Sequence, residues 1–208
     1  MVRHTESVLF VLYAQDMVAD KHLSVIMHVR IGRYASEEDD LETFERDEEI
    51  IIHNYDTWSM DHTLALIIVP MLKQLKETKH GAPNVDCIDV PLRLKPTQME
   101  ISRYKEDGTT DKNFFRRWDY VLDEMIWAFE QIAADDDEEQ FYSGECDIKW
   151  TPVDEDGNEV SEGASKYSRM DRGPNDTFKV DREGLEAHHK RIDNGTRLFG
   201  KYYRSLWD

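Results

Sequence analysis

The stretch Lys112–Ala134, KNFFRRWDYVLDEMIWAFEQIAA, decides the fold. Phe114, Trp118, Val121, Leu122, Met125, Phe129 and Ile132 recur at intervals of three and four, so a helix gathers them on one side. Such a stripe needs partners, and two segments match it. Residues 58–80 carry Leu64, Ile67, Ile68, Met71, Leu72 and Leu75, with Asp56 or Ser59 placed to cap the start and Gly81 and Pro83 to end the helix. Leu66 and Val69 fill other sides, so the first half is expected to be buried all round. Pro70 cannot donate to the Leu66 carbonyl and is expected to kink the helix. Residues 181–206 follow, capped by Asp181, with Leu185, Ile192, Phe199, Tyr202 and Leu206 in register. Gly184, Gly195 and Gly200 each cost about 1 kcal/mol inside a helix, which points to a close backbone approach or a break at Asn194-Gly195. Tyr202, Tyr203 and Trp207 are expected to anchor the C-terminus in the core.

Outside these helices the period shortens. Val25, Met27, Val29 and Ile31 alternate with other residues, Glu49–His53 reads EIIIH, and Asp147–Val160 reads as a hairpin turning at Asp156-Gly157. Phe178–Val180 adds a further short strand. Residues 81–111, with Pro83, Pro91 and Pro96, read as irregular. The expected fold is α+β: three long packed helices, one side covered by a small antiparallel sheet of hairpins. Residues 1–26 read as an N-terminal extension and 27–208 as a single α+β domain, since Met27 would make a natural start. The run Val8–Ala14 is too short to span a bilayer, and Glu6 interrupts the n-region of a secretory signal, so the cytosol is the expected location.

Lys and Arg number 26 against 44 Asp and Glu, a net charge of −18. That excludes duplex nucleic acid and anionic membrane as default partners. The 22 aromatic residues exclude wholesale disorder. Cys87 and Cys146 give neither a disulfide framework nor a four-thiolate zinc site. Glu37–Asp40, Asp47–Glu49 and Asp135–Glu139 read as solvated runs, the last fraying a helix end. A sharper alternative is mimicry of a nucleic-acid surface that occupies basic proteins.

Three clusters could carry chemistry. His53–His62, HNYDTWSMDH, sets His53, Asp56, Trp58, Ser59, Asp61 and His62 where a strand turns into a helix. That junction either contacts a metal or phosphate or merely caps the helix. Asp119, Asp123, Glu124 and Glu130, with Trp127, line the polar side of the second helix and could bind Mg²⁺ or face solvent and salt bridges. Lys73, Lys76, Lys79 and His80, with Arg116 and Arg117, form a basic stripe that either cradles a phosphate or pairs with the protein's own acids. The expected ligand contacts are Asp56, Trp58, Ser59, Asp61 and His62 from the first cluster. Lys73, Lys76, His80, Arg117 and Trp127 complete the set. No cofactor is expected and no metal site is assigned. His188 and His189 point about 100° apart, which favours structural or solvent roles. Asp154–Asn158 reads as a turn, because its glycine falls too early for a calcium loop.

Three blocks, Tyr55–Pro91, Trp118–Glu130 and Arg191–Asp208, resemble a family of uncharacterised proteins of tailed bacteriophages. The shared features are a D-x-W-S-M-D-H helix start, WDYVLDEMIWAFE, and a terminal RLFGKYYRSLW block. The resemblance carries no activity. It implies an accessory protein of the host cytoplasm that binds a host protein or a small phosphate-bearing ligand, serving counter-defence or host takeover. Two alternatives stand beside it. One is a metal-dependent nucleotide or nucleic-acid hydrolase using Asp56, Asp61, His62, Asp123 and Glu124. The other is a minor virion or assembly component.

Overall fold

The computed structural model describes residues 27–36, 38–40, 43–134, 137–161, 163 and 165–207. The expected extension 1–26 and the Val25 end of the first strand lie outside them. The chain divides into two compact units, Met1–Leu64 and Ala65–Asp208, the division falling inside the first long helix.

In the first unit, β1 (His28–Ile31) pairs antiparallel with β2 (Glu48–Ile51), His28 opposite Ile51 and Ile31 opposite Glu48. The acidic connection is partly tied down. Asp39 accepts from Arg33 at 2.6 and 2.8 Å and from the Ser36 amide at 2.6 Å. The Arg33 hydrogen bond, then that amide, hold the Asp39 carboxyl well below the usual range. Arg46 donates to the Gly32 carbonyl, and its guanidinium lies 3.9 Å from the Tyr34 ring centre. A 3₁₀ turn, Asn54–Thr57, leads into α1 (Met60–Thr78).

The second unit holds the rest of α1, then α2 (Gln98–Asp107), α3 (Phe114–Ile132) and α4 (Arg182–Tyr202). Between α3 and α4 lie β3 (Tyr142–Ser143), β4 (Ile148–Val153), β5 (Tyr167–Arg172) and β6 (Lys179–Val180). The class is α+β. The strands do not merge into one sheet: β1–β2, β3–β6 and β4–β5 are separate antiparallel pairs. The Asp154–Asn158 turn forms, with Gly157 at φ 85°, but β4 finds its ladder farther on, Ile148 opposite Arg172 and Val153 opposite Tyr167. Only a bridge between Val153 and Glu159 closes the tighter hairpin.

The core of the second unit follows the α3 stripe. Trp118, Val121, Leu122 and Met125 are buried, with Leu198 and Tyr202 of α4, Ala65 and Leu72 of α1, and Val85, Val90 and Leu94 from the α1–α2 connection. Trp118 meets Tyr202 edge-on at 5.7 Å and Phe129 meets Phe199 at 4.9 Å. Gly195 explains how closely α3 and α4 approach. A Cβ there would sit 2.3 Å from the Ala128 Cβ and 2.6 Å from the Glu124 carbonyl oxygen. The helix continues unbroken through Asn194-Gly195, so the glycine serves contact and not a break.

Several expectations need correction. Residues 81–111 are not all irregular. Thr97 and Glu100 cap α2 reciprocally, and Gly108, at φ 77°, ends it. The first half of α1 is not buried all round, since Met60 and Leu64 are exposed. Tyr202 anchors the C-terminus, but Tyr203 and Trp207 are 64% and 69% exposed because α4 ends at Tyr202 and the last turn leaves the core. Residues 135–136, where fraying was expected, lie outside the described residues. Beyond them the acidic run is not simply solvated. Asp137 reaches His188 at 3.1 Å and Glu138 reaches His189 at 2.6 Å, with His188 buried between the Trp127 and Phe141 rings.

Gly195 and Gly200 form a matched test. Ala at either position gains about 1 kcal/mol of helix propensity. At 195 the crowding costs about 1–3 kcal/mol, while at 200 nothing lies within 4 Å. Thermal unfolding is therefore expected to show Gly195→Ala destabilised and Gly200→Ala stabilised.

Candidate functional site

In the first unit the turn Asn54–Thr57 sets the side chains of the HNYDTWSMDH segment. Residues three apart eclipse in a 3₁₀ helix, so Tyr55 and Trp58 share one side, joined by the Trp58 amide donating to the Tyr55 carbonyl at 3.1 Å. Both are nearly bare, Tyr55 at 86% and Trp58 at 89% exposure. Asp56 does not cap α1. It accepts from the His53 amide at 2.7 Å and so closes the start of the 3₁₀ turn. Ser59 is the residue before α1, and its carbonyl takes the Thr63 amide. Asp61 lies exposed in the first turn, where its charge suits the helix dipole, with His62 half-buried beside it.

The basic stripe belongs to the second unit and faces acids. Lys73 pairs with Glu130 at 2.6 Å, Lys79 pairs with Asp119 at 2.6 Å, and Lys76 pairs with Asp123. Rising numbers on α1 against falling numbers on α3 show the two helices running antiparallel. His80 stands just past the end of α1. Arg117 is buried and holds Asp111 at 2.6 and 3.0 Å while donating to the Leu94 carbonyl at 3.0 Å. Trp127 sits between α3 and α4, the Arg191 guanidinium 3.8 Å from its ring centre, and Arg191 also takes Glu124 at 2.9 and 3.0 Å. Asp123 and Glu124 thus serve cations on different helices. Among the described residues no three His, Cys, Asp or Glu side chains group to hold a metal ion.

The concave site is one the sequence did not single out, apart from Arg117. A cleft of about 490 Å³ opens among Val85–Cys87, α2, the start of α3 and the end of α4. A buried carboxylate braces it from behind. Asp89, its side chain 1% exposed, accepts from Arg197 at 2.7 Å, Lys201 at 2.5 Å and the Tyr202 hydroxyl at 2.7 Å. Burial pushes the Asp89 carboxyl upward, but the Lys201, Tyr202 and Arg197 hydrogen bonds together outweigh it, and the acid titrates below its ordinary value. The Tyr202 hydroxyl also accepts the Asp86 amide at 2.9 Å. Burial, reinforced by the Asp89 charge, pushes the Tyr202 phenol up to about 12. The sequence signal for this network was thin. Tyr202 was visible as an apolar anchor, while Asp89 lies 108 residues from Arg197 in a proline-rich stretch without periodicity.

No family model, curated protein or solved structure matches the chain. No described helix is long and apolar enough to cross a membrane.

The Asp89 network sets two pH limits. A carboxyl lowered in the folded state contributes stability that is present above the ordinary value near 4 and lost as pH falls below it. A phenol raised from 10.0 to about 12 contributes stability that is present below pH 10 and lost as pH rises toward 12. Tyr202→Phe is expected to abolish one late phenolate step in ultraviolet absorbance and to flatten the alkaline loss of stability. Asp89→Asn is expected to cost about 2–3 kcal/mol in denaturant unfolding, the low side for a broken buried pair because Arg197 and Lys201 reach water.

Proposed function

We propose that this chain is a phage-encoded accessory protein that acts in the host cytoplasm by binding a basic host protein through the Tyr55–Trp58 corner. The observation that carries this is the pair of nearly bare aromatic rings on one side of a single turn. Tyr and Trp are the residue types that anchor protein interfaces when a partner desolvates them. Their surroundings support the same reading. Not one described residue of the first unit is buried, and Ile50, Ile51 and Ile52 are exposed beside them in sequence. Residues 27–64 carry eleven carboxylates against three arginines. All three arginines are engaged at home: Arg30 with Asp47, Arg33 with Asp39, Arg46 with the Gly32 carbonyl and the Tyr34 ring. A partner that covers the apolar residues therefore meets a negative rim, which selects a basic surface and speeds encounter.

The test is capture of host proteins from infected cells on the immobilised chain, followed by affinity measurement with the isolated partner. A single stoichiometric basic protein is expected. Tyr55→Ala and Trp58→Ala are each expected to weaken it by about tenfold or more, and raised salt is expected to slow association. The proposal is overturned if no stoichiometric partner is retained, or if both variants, folded by circular dichroism, bind it as the wild type does.

A further inference from the structure

We propose that the cleft of the second unit is a separate binding site for a small planar aromatic anion, a ring bearing one carboxylate or phosphate group. Its volume, about 490 Å³, lies within the range of small-molecule pockets. Tyr104 and Phe114 form an aromatic wall, their ring centres 5.7 Å apart and inclined by 31°. A flat ring fits such a wall by offset or tilted stacking.

The sign of the ligand follows from which polar groups are already satisfied. Three carboxylates line the cleft, and each is engaged by a donor of the protein. Asp111 holds Arg117 in a two-pronged pair. Asp86 accepts from the Ile88 amide and from Lys201. Glu100 accepts from the amide and the hydroxyl of Thr97. At Asp111 and Asp86 a cationic ligand would have to displace Arg117 and Lys201, while Glu100 is engaged through one oxygen, by uncharged donors. Of the remaining polar groups, the Lys105 ammonium, the Tyr104 hydroxyl and the Asn84 amide have no side-chain hydrogen bond or ion pair among the described residues. All three can donate, and the ammonium can do nothing else. The complement to an aromatic wall edged by uncommitted donors is a ring with an acceptor-only charged group. The negative net charge does not forbid it, because the three carboxylates of the lining are matched there by Lys105, Arg117 and Lys201, and charges farther than about 10 Å are largely screened at ordinary salt.

The test uses two pairs of probes matched in ring and different in charge: 2-aminobenzoate with 2-aminobenzamide, and adenosine monophosphate with adenosine. Each is titrated into the full chain and followed by amide chemical shifts. At least one anion is expected to saturate and to bind about tenfold or more tighter than its neutral counterpart. Lys105→Gln, on the exposed side of α2, is expected to erase that preference, and Tyr104→Leu to weaken both members of the pair. Cys87 lines the cleft and Cys146 is an exposed thiol outside it, so the bound anion is expected to slow alkylation of Cys87 alone. The proposal is overturned if neither anion saturates by about 5 mM. It is equally overturned if neutral and charged probes bind alike, or if folded Lys105→Gln keeps the preference. These readouts do not involve Tyr55 or Trp58, so the cleft and the host-protein reading stand or fall separately.

Discussion

The second unit depends on one buried negative charge. Stripping a carboxylate of water is expensive unless its oxygens are fully engaged. Asp89 meets that demand only when Arg197, Lys201 and Tyr202, all from the last turns of α4, arrive together. The requirement fixes the end of α4 against the 86–89 turn. With α4 placed, Tyr202 meets Trp118, Leu198 enters the core, and the 84–94 segment presents Val85, Val90 and Leu94 inward. A well-packed apolar residue in place of Asp89 could give equal stability. It would not specify which three side chains must converge.

The two units solve the problem of burial differently. The second closes a core around an aromatic helix and pairs several of its cations with its own acids: Arg117 on Asp111, Arg191 on Glu124, and the α1 lysines on α3. The described part of the first unit closes no core. Its hairpin and turn leave isoleucine, tyrosine and tryptophan side chains exposed within a crowd of carboxylates. The protein's net charge is therefore not a uniform coat. Residues 27–64 alone carry eight of its eighteen excess negative charges.

The long helices were legible because their periodicity is redundant. Seven apolar residues in α3 agree on one side, and no single exception changes the answer. Gly195 was legible as either a contact or a break, because a glycine cost inside a strong helix demands a reason, and the contact is the one that holds, while Gly200 has no such neighbour. α2 was missed because Met99, Ile101 and Tyr104 are too sparse to set a period. Its signals lay at its ends, in Thr97–Glu100 and Gly108. The pairing of β4 with β5 was hidden by the stronger local turn at Gly157. At the sites, sequence found His53–His62 as a segment but left the cap of α1 between Asp56 and Ser59, whereas Asp56 closes the 3₁₀ turn. The lysine stripe was visible, and its partners were too, but their pairing needed the antiparallel arrangement of α1 and α3. The cleft and Asp89 were invisible because residues 84–89, 96–105 and 201–202 meet only after folding.

α2 forms one wall of that cleft, yet it contributes no buried residue. Its order comes from its two caps and from the Asp111–Arg117 tie just beyond it, while α3 is rooted by ten buried residues. Opening α2 locally exposes little apolar surface, so its amides are expected to exchange with solvent hydrogen before those of α3. The pocket therefore has one wall built into the core and one wall held mainly by its caps. A guest that braced that wall would give up part of its affinity to the cost of ordering it.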